Sequence, residues 1–164
     1  MVTVLCGRVA AGKSFLAEQM RRKGALVLSC DEMMLTLFEH CLGPENHDKM
    51  ALRCLRYLFS VAVQASELGQ DVVDYGMWLR AERHAARRIF REAGVKYRIL
   101  LVETEEEIRL RRLSRRNEGL RNADHRVYLI EGDLLKRMDA KWQPIGEDET
   151  DVEVCRNDEE QELL

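Results

Sequence analysis

Gly7-Arg8-Val9-Ala10-Ala11-Gly12-Lys13-Ser14 is a complete G-x-x-x-x-G-K-[ST] phosphate-binding loop. No other feature restricts so sharply what this chain can fold into. The glycines let the backbone wrap an anion so that successive N–H groups point at it. Lys13 can reach the β- and γ-phosphates of a nucleoside triphosphate, and the Ser14 hydroxyl can ligate Mg²⁺. A helix starting at the loop aims its positive dipole end at the same charge.

The flanking residues supply the context this motif demands. Val2-Thr3-Val4-Leu5-Cys6 is a short apolar, β-branched run of the kind that forms a buried parallel strand. Beyond the loop, Phe15, Leu16, Gln19 and Met20 recur at helical spacing, and Gly24 ends the pattern.

Further strands are expected at 25–29, 71–76 and 97–102, with a short one around Val152, Val154 and Cys155. Helices are expected at 31–41, 47–68, 80–93, 105–117 and 124–141, with loops at 43–46 and 119–123. Thr104 followed by Glu107 has the spacing of a capping box. Strands alternating with helices imply a three-layer α/β fold with a five-stranded parallel sheet and helices on both faces. One domain over 1–164 suits this length.

Composition narrows the class. Five cysteines without a C-x-x-C pair indicate neither a disulfide framework nor a zinc site. They read as core residues in a reducing compartment, with Cys30 noted as a thiol beside a functional candidate. No apolar run is long enough to span a membrane, and the amino terminus reads as strand and loop, not as a secretory leader. A cytosolic location is the expectation. The net charge of −3 does not favour nucleic acid as a partner. Arginines are dense from Arg80 to Arg126, and the segment from Glu147 to Glu162 is acidic.

In parallel α/β sheets ligands gather at the carboxyl ends of the strands. Asp31 follows the second strand and can act as general base toward an incoming hydroxyl, or serve as a helix N-cap. Asp74 ends the third strand, where a Walker-B-type carboxylate would hold Mg²⁺, or it belongs to the turn before Gly76. Its rival Asp71 begins that strand and lies at the wrong edge. Arg112 and Arg116 are four apart on one helix face, suited to closing over a nucleotide, whereas most of the arginine belt reads as a solvated face paired with Glu105, Glu106 and Glu107. Trp78 and Arg83 suit an acceptor pocket, with core packing as the alternative for Trp78. Trp142 and Pro144 are expected to pack the late helix on the body. His40, His47, His84 and His125 show no ligand spacing and read as surface.

With these motifs in order, the chain resembles small P-loop kinases of the nucleoside-monophosphate-kinase superfamily. It is most similar to AAA-type ATP-binding proteins near zeta-toxin kinases, chloramphenicol phosphotransferase and polynucleotide 5′-kinase. The likeness rests on Gly7 to Ser14, Leu28-Ser29-Cys30-Asp31, the run from Val72 to Arg83, Arg112 to Asn117, and Trp142 to Glu149. It implies transfer of a γ-phosphate from ATP, with Mg²⁺, to a hydroxyl of a small molecule or nucleotide. Asp31 then stands as the catalytic aspartate, and Arg112 and Arg116 as arginines of a lid at about 105–126. Lys13 and these arginines would act on the transferred group, and Arg116 would join the loop in binding nucleotide. A monomer or a homodimer fits this class. Departures from the pattern are Phe15 after Ser14, the glycine-poor Ala10-Ala11, His84 in place of an acidic residue, and Gln143 in place of Glu.

Two other functions stay open at this stage. One is a nucleotide-binding regulatory protein with slow ATP hydrolysis, for which a base facing an acceptor has no use. The other is a nucleic-acid 5′-hydroxyl kinase whose arginine belt tracks a backbone.

Overall fold

The computed structural model describes residues 1–39, 41–120 and 129–158. The expected positions 121–126 of the lid, His40, His125 and the acidic residues 159–162 lie outside them. The described elements are β1 (Val2–Cys6), α1 (Lys13–Arg22), β2 (Leu26–Ser29), α2 (Cys30–Phe38), α3 (Pro44–Glu67) and β3 (Val72–Met77). They continue with α4 (Arg80–Glu92), β4 (Tyr97–Glu103), α5 (Glu106–Leu120), α6 (Gly132–Lys141) and β5 (Val152–Arg156).

All five strands run parallel, in the order β2-β3-β1-β4-β5. β1, the most uniformly apolar strand, takes the centre, and each of its five residues is buried. Alternation along the strands divides the core. Val2, Val4, Cys6, Val72, Ile99 and Leu101 face α3 and α4, where Phe59 and Phe90 meet edge to face at 5.5 Å. Leu5, Val73, Leu100 and Val102 face Ala17, Leu16 and Met20 of α1. A parallel sheet with both faces covered needs this kind of continuous apolar strand. Trp142 packs on the α3/α4 side of the core, as the sequence suggested.

Several local expectations shift. α5 runs through Leu120, so the predicted loop at Gly119 begins at least two residues later. The helix expected from Asp124 begins at Gly132 among the described residues, with 129–131 non-helical. Thr104 does not build the expected capping box. Its hydroxyl lies 3.0 Å from the Ala11 carbonyl and 2.8 Å from that of Asn157, and Asp158 accepts from the Glu105 N–H instead. The helix α2 is capped by Ser29, whose Oγ accepts from Glu32 N–H at 3.2 Å, so Asp31 is not the cap.

One buried ionic cluster was not legible in the sequence. Arg83 is fully buried and grips both oxygens of Glu149, at 2.8 and 2.6 Å, and the carbonyls of Gln143 and Pro144. Arg87 bonds the same Glu149 and also Asp151. The segment after α6 is thereby fastened to α4.

Candidate functional site

The loop between β1 and α1 has the backbone its sequence requires. Gly7 and Gly12 sit at φ 142° and 100°. A Cβ on Gly7 would stand 2.5 Å from the Val102 carbonyl oxygen, so no other residue fits there. Ala10 adopts a left-handed φ of 61°, a conformation that costs an L-residue about 1 kcal/mol. The first turn of α1 leaves N–H groups without helical acceptors, directed at the loop.

Lys13 is buried, 8% exposed. Its ammonium donates to the carbonyls of Gly7 at 2.8 Å and Arg8 at 2.7 Å, and lies 5.4 Å from the centre of the Trp78 ring. Burial pulls its pKa down to about 8, and the nearby Asp31 carboxylate resists that fall. Ser14 follows with an exposed side chain.

Asp31 stands at the carboxyl end of β2, one residue into α2, with an exposed side chain. The surrounding protein raises its pKa, while the positive charge of Lys13, His47 and Arg116 counters the rise. A carboxylate with a raised pKa, facing cations and open to a ligand, is suited to taking a proton. His47, read as surface in the sequence, therefore stands within electrostatic reach of the cleft. A side chain three residues into a helix gives no sequence signal of which way it faces.

Asp74 is fully buried, and neither carboxylate oxygen has a hydrogen-bond partner. Burial, reinforced by Glu82, raises its pKa to about 8. Such an orphaned carboxyl is costly unless a cation or its water meets it. Asp71, the rejected rival, bonds the terminal amine at the opposite edge of the sheet. We expect Asp74→Asn to raise the thermal stability of the metal-free protein by about 2 kcal/mol at pH 8. The sign follows from linkage. A raised folded pKa means the folded state binds the proton more tightly, so stability falls as pH rises from about 4 toward 8. Thermal melts at pH 5.5 and 8 read the effect, and a destabilised Asn variant at pH 8 would contradict it.

The arginines divide by role. Arg116 lies near both Lys13 and Asp31 electrostatically. Arg112 bonds the Thr104 hydroxyl at 3.1 Å, beside Asp158, at the ends of β4 and β5. Arg109, expected on a solvated face, is buried. It bonds Glu106 and Asp139 and reaches the Val9 carbonyl, while Arg8 bonds the same two carboxylates. This cluster ties the phosphate loop to α5 and α6.

Arg83, expected in an acceptor pocket, lies buried, with Glu149 and the Gln143 and Pro144 carbonyls taking its donors. Trp78 packs against the cluster of Val9, Leu113 and Ile130, beside Lys13. Gln143 caps α4 through its side-chain oxygen, which accepts from Arg80 N–H at 2.7 Å, and His84 accepts from Arg80 Nε. Neither departure from the family pattern thus lies against Lys13 or Asp31. The Cys30 thiol donates to the Ala51 carbonyl and its pKa is raised by burial, which makes it unreactive. A cavity of about 320 Å³ opens beside the loop, lined by Ala11, Leu101, Thr104, Trp142, Arg156 and Asp158 among others.

A phosphate loop after the central strand of a 2-3-1-4-5 parallel sheet, with a helix bearing arginines above it, defines a P-loop α/β protein of the nucleoside-monophosphate-kinase-like kind. The chain belongs to the AAA domain family, whose model matches residues 2–141. No curated protein matches it. Among solved structures it is similar in fold to a gluconokinase from Sinorhizobium meliloti 1021, with 16% identity and a TM-score of 0.62 over 94% of this chain and 81% of that one. The Mycobacterium tuberculosis APS kinase CysC, solved with AMPPNP and APS, gives 22% identity and a TM-score of 0.63 over 97% and 89%. Chaetomium thermophilum Kti12, solved with ADP-AlF3, gives 14% and 0.64 over 98% and 92%. No helix among the described residues is long and apolar enough to cross a membrane.

Proposed function

We propose that this protein transfers the γ-phosphate of ATP to a hydroxyl of a small molecule or nucleotide. The observation that carries this reading is Asp31. It is not the α2 cap, it is exposed, and it shares its electrostatic surroundings with Lys13 and Arg116. A protein that only binds or slowly hydrolyses nucleotide has no use for a base in that position.

In this reading the loop from Gly7 to Ser14 binds the phosphates through its N–H groups. Lys13 moves from the Gly7 and Arg8 carbonyls onto the β- and γ-phosphates. Asp31 accepts the proton of the acceptor hydroxyl as its oxygen attacks. Arg116, with Arg112 behind it, offsets charge gathering on the transferred group. Ser14 and Asp74 would hold Mg²⁺, which supplies charge neutralisation between the β- and γ-phosphates when bound. A cytosolic, soluble existence fits this chemistry.

We expect Asp31→Asn to bind ATP as wild type does but to lose about 100-fold in transfer. Calorimetry and an ATP-consumption screen across nucleosides, sugars, aminoglycosides and 5′-hydroxyl oligonucleotides test it together. Equal nucleotide consumption by wild type and Asp31→Asn, with no acceptor stimulating either, would favour the regulatory nucleotide-binding alternative. Stimulation by oligonucleotides alone, with strong salt dependence, would favour the nucleic-acid 5′-kinase.

A further inference from the structure

We propose that Trp78 is a positioning residue for Lys13: its indole face holds the ammonium against the loop carbonyls and keeps it from collapsing onto Asp31. The inference rests on the reading of Lys13 as a phosphate ligand.

Trp78 is fastened from both sides of its backbone. Its N–H donates to Glu82 Oε2 at 2.7 Å, and its carbonyl accepts from Gln143 N–H at 3.1 Å. Glu82 also accepts from Leu79 N–H at 2.8 Å, so the turn out of β3 is held as a unit. The ring packs against the buried cluster of Val9 in the loop, Leu113 of α5 and Ile130. It is therefore aimed at Lys13 by the fold and does not drift there.

The ammonium has three N–H donors. Two serve the Gly7 and Arg8 carbonyls, and the indole face 5.4 Å away takes the remaining side. Neither hydrogen bond goes to a carboxylate, although Asp31 is near enough to act on the charge of Lys13. An ion pair between them would remove the phosphate ligand and the base in one step. An aromatic face attracts the cation without opposing charge, so an arriving phosphate outcompetes it readily.

The chain has two tryptophans, and Trp142→Phe leaves Trp78 as the sole emitter. With that variant, Mg²⁺ with ADP or AMPPNP should change the emission with the saturation seen by calorimetry. Adding Lys13→Met should alter the nucleotide-free emission. Trp78→Phe keeps a π face and should hold the nucleotide KM within about threefold, whereas Trp78→Leu should raise it about tenfold, with a smaller effect on kcat than on KM. Thermal melts confirm folding, and Trp78→Met replaces the Leu variant if that one unfolds. Equal nucleotide KM for the Phe and aliphatic variants, or unchanged Trp78 emission while calorimetry shows nucleotide bound, would overturn the proposal. If no acceptor is found, emission and calorimetry still decide it. Absence of nucleotide binding would overturn the proposed function itself, and this inference with it.

Discussion

Lys13→Ala is expected to reduce phosphoryl transfer about 1,000-fold while leaving the protein folded. The ammonium is the charge the loop offers to the β- and γ-phosphates, and one such preorganised donor contributes at this scale. Folding does not need it. Its hydrogen bonds go to two loop carbonyls, and burial already pulls its pKa down to about 8, the mark of a charge held at a cost. The melting temperature of Lys13→Ala should accordingly equal or exceed that of wild type. Rate assays with the acceptor found by screening, beside thermal melts, check both halves. Transfer within tenfold of wild type would sink the phosphate-ligand role. A loss of several kcal/mol in stability would make Lys13 structural instead.

Glu149→Ala should show the opposite profile, with stability falling by about 3–5 kcal/mol and the melting point by roughly 10 °C. The carboxylate is buried between two guanidinium groups, and its removal strands positive charge in the interior. The hydrogen bond from Arg83 leads the effects that hold its pKa down to about 2. With a depressed folded pKa, this stabilisation is complete above the ordinary carboxylate range and is lost as pH falls from about 4.5 toward 2. Wild type should therefore lose stability across that window more steeply than Glu149→Gln. Melts at pH 7 and pH 3 read it, and an unchanged melting point in Glu149→Ala at pH 7 would refute the anchor. Trp142, stacked 5.8 Å from Arg83, places this anchor under the core.

The two residues show where sequence reading succeeds and where it stops. Lys13 was legible because its role is local. Spacing within eight residues sets the loop, and a strand before and a helix after complete the signal. Asp31 was half legible, as base or cap, until Ser29 was seen to hold the cap. Glu149 closes one of the motifs behind the family likeness, but nothing local named its partners, which lie sixty-two and sixty-six residues away. Arg83 and Arg109 misled for the same reason. A guanidinium at a helix surface and one inside a salt bridge have the same spacing in sequence, and only the opposing element tells them apart.

By itself the sequence determined the parallel α/β layering, the phosphate loop and the place of Asp31 just after β2, because apolar periodicity and glycine spacing are local properties of the chain; Asp74, read as the end of the third strand, is instead the third residue of β3, which runs on to Met77. The tertiary structure decided which arginines are spent on carboxylates of other elements, Arg83 and Arg87 on Glu149 and Arg109 on Asp139. It also left Asp74 unpaired and set Trp78 against Lys13. These are questions of what packs opposite a side chain, and burial makes each of them costly enough to have one answer.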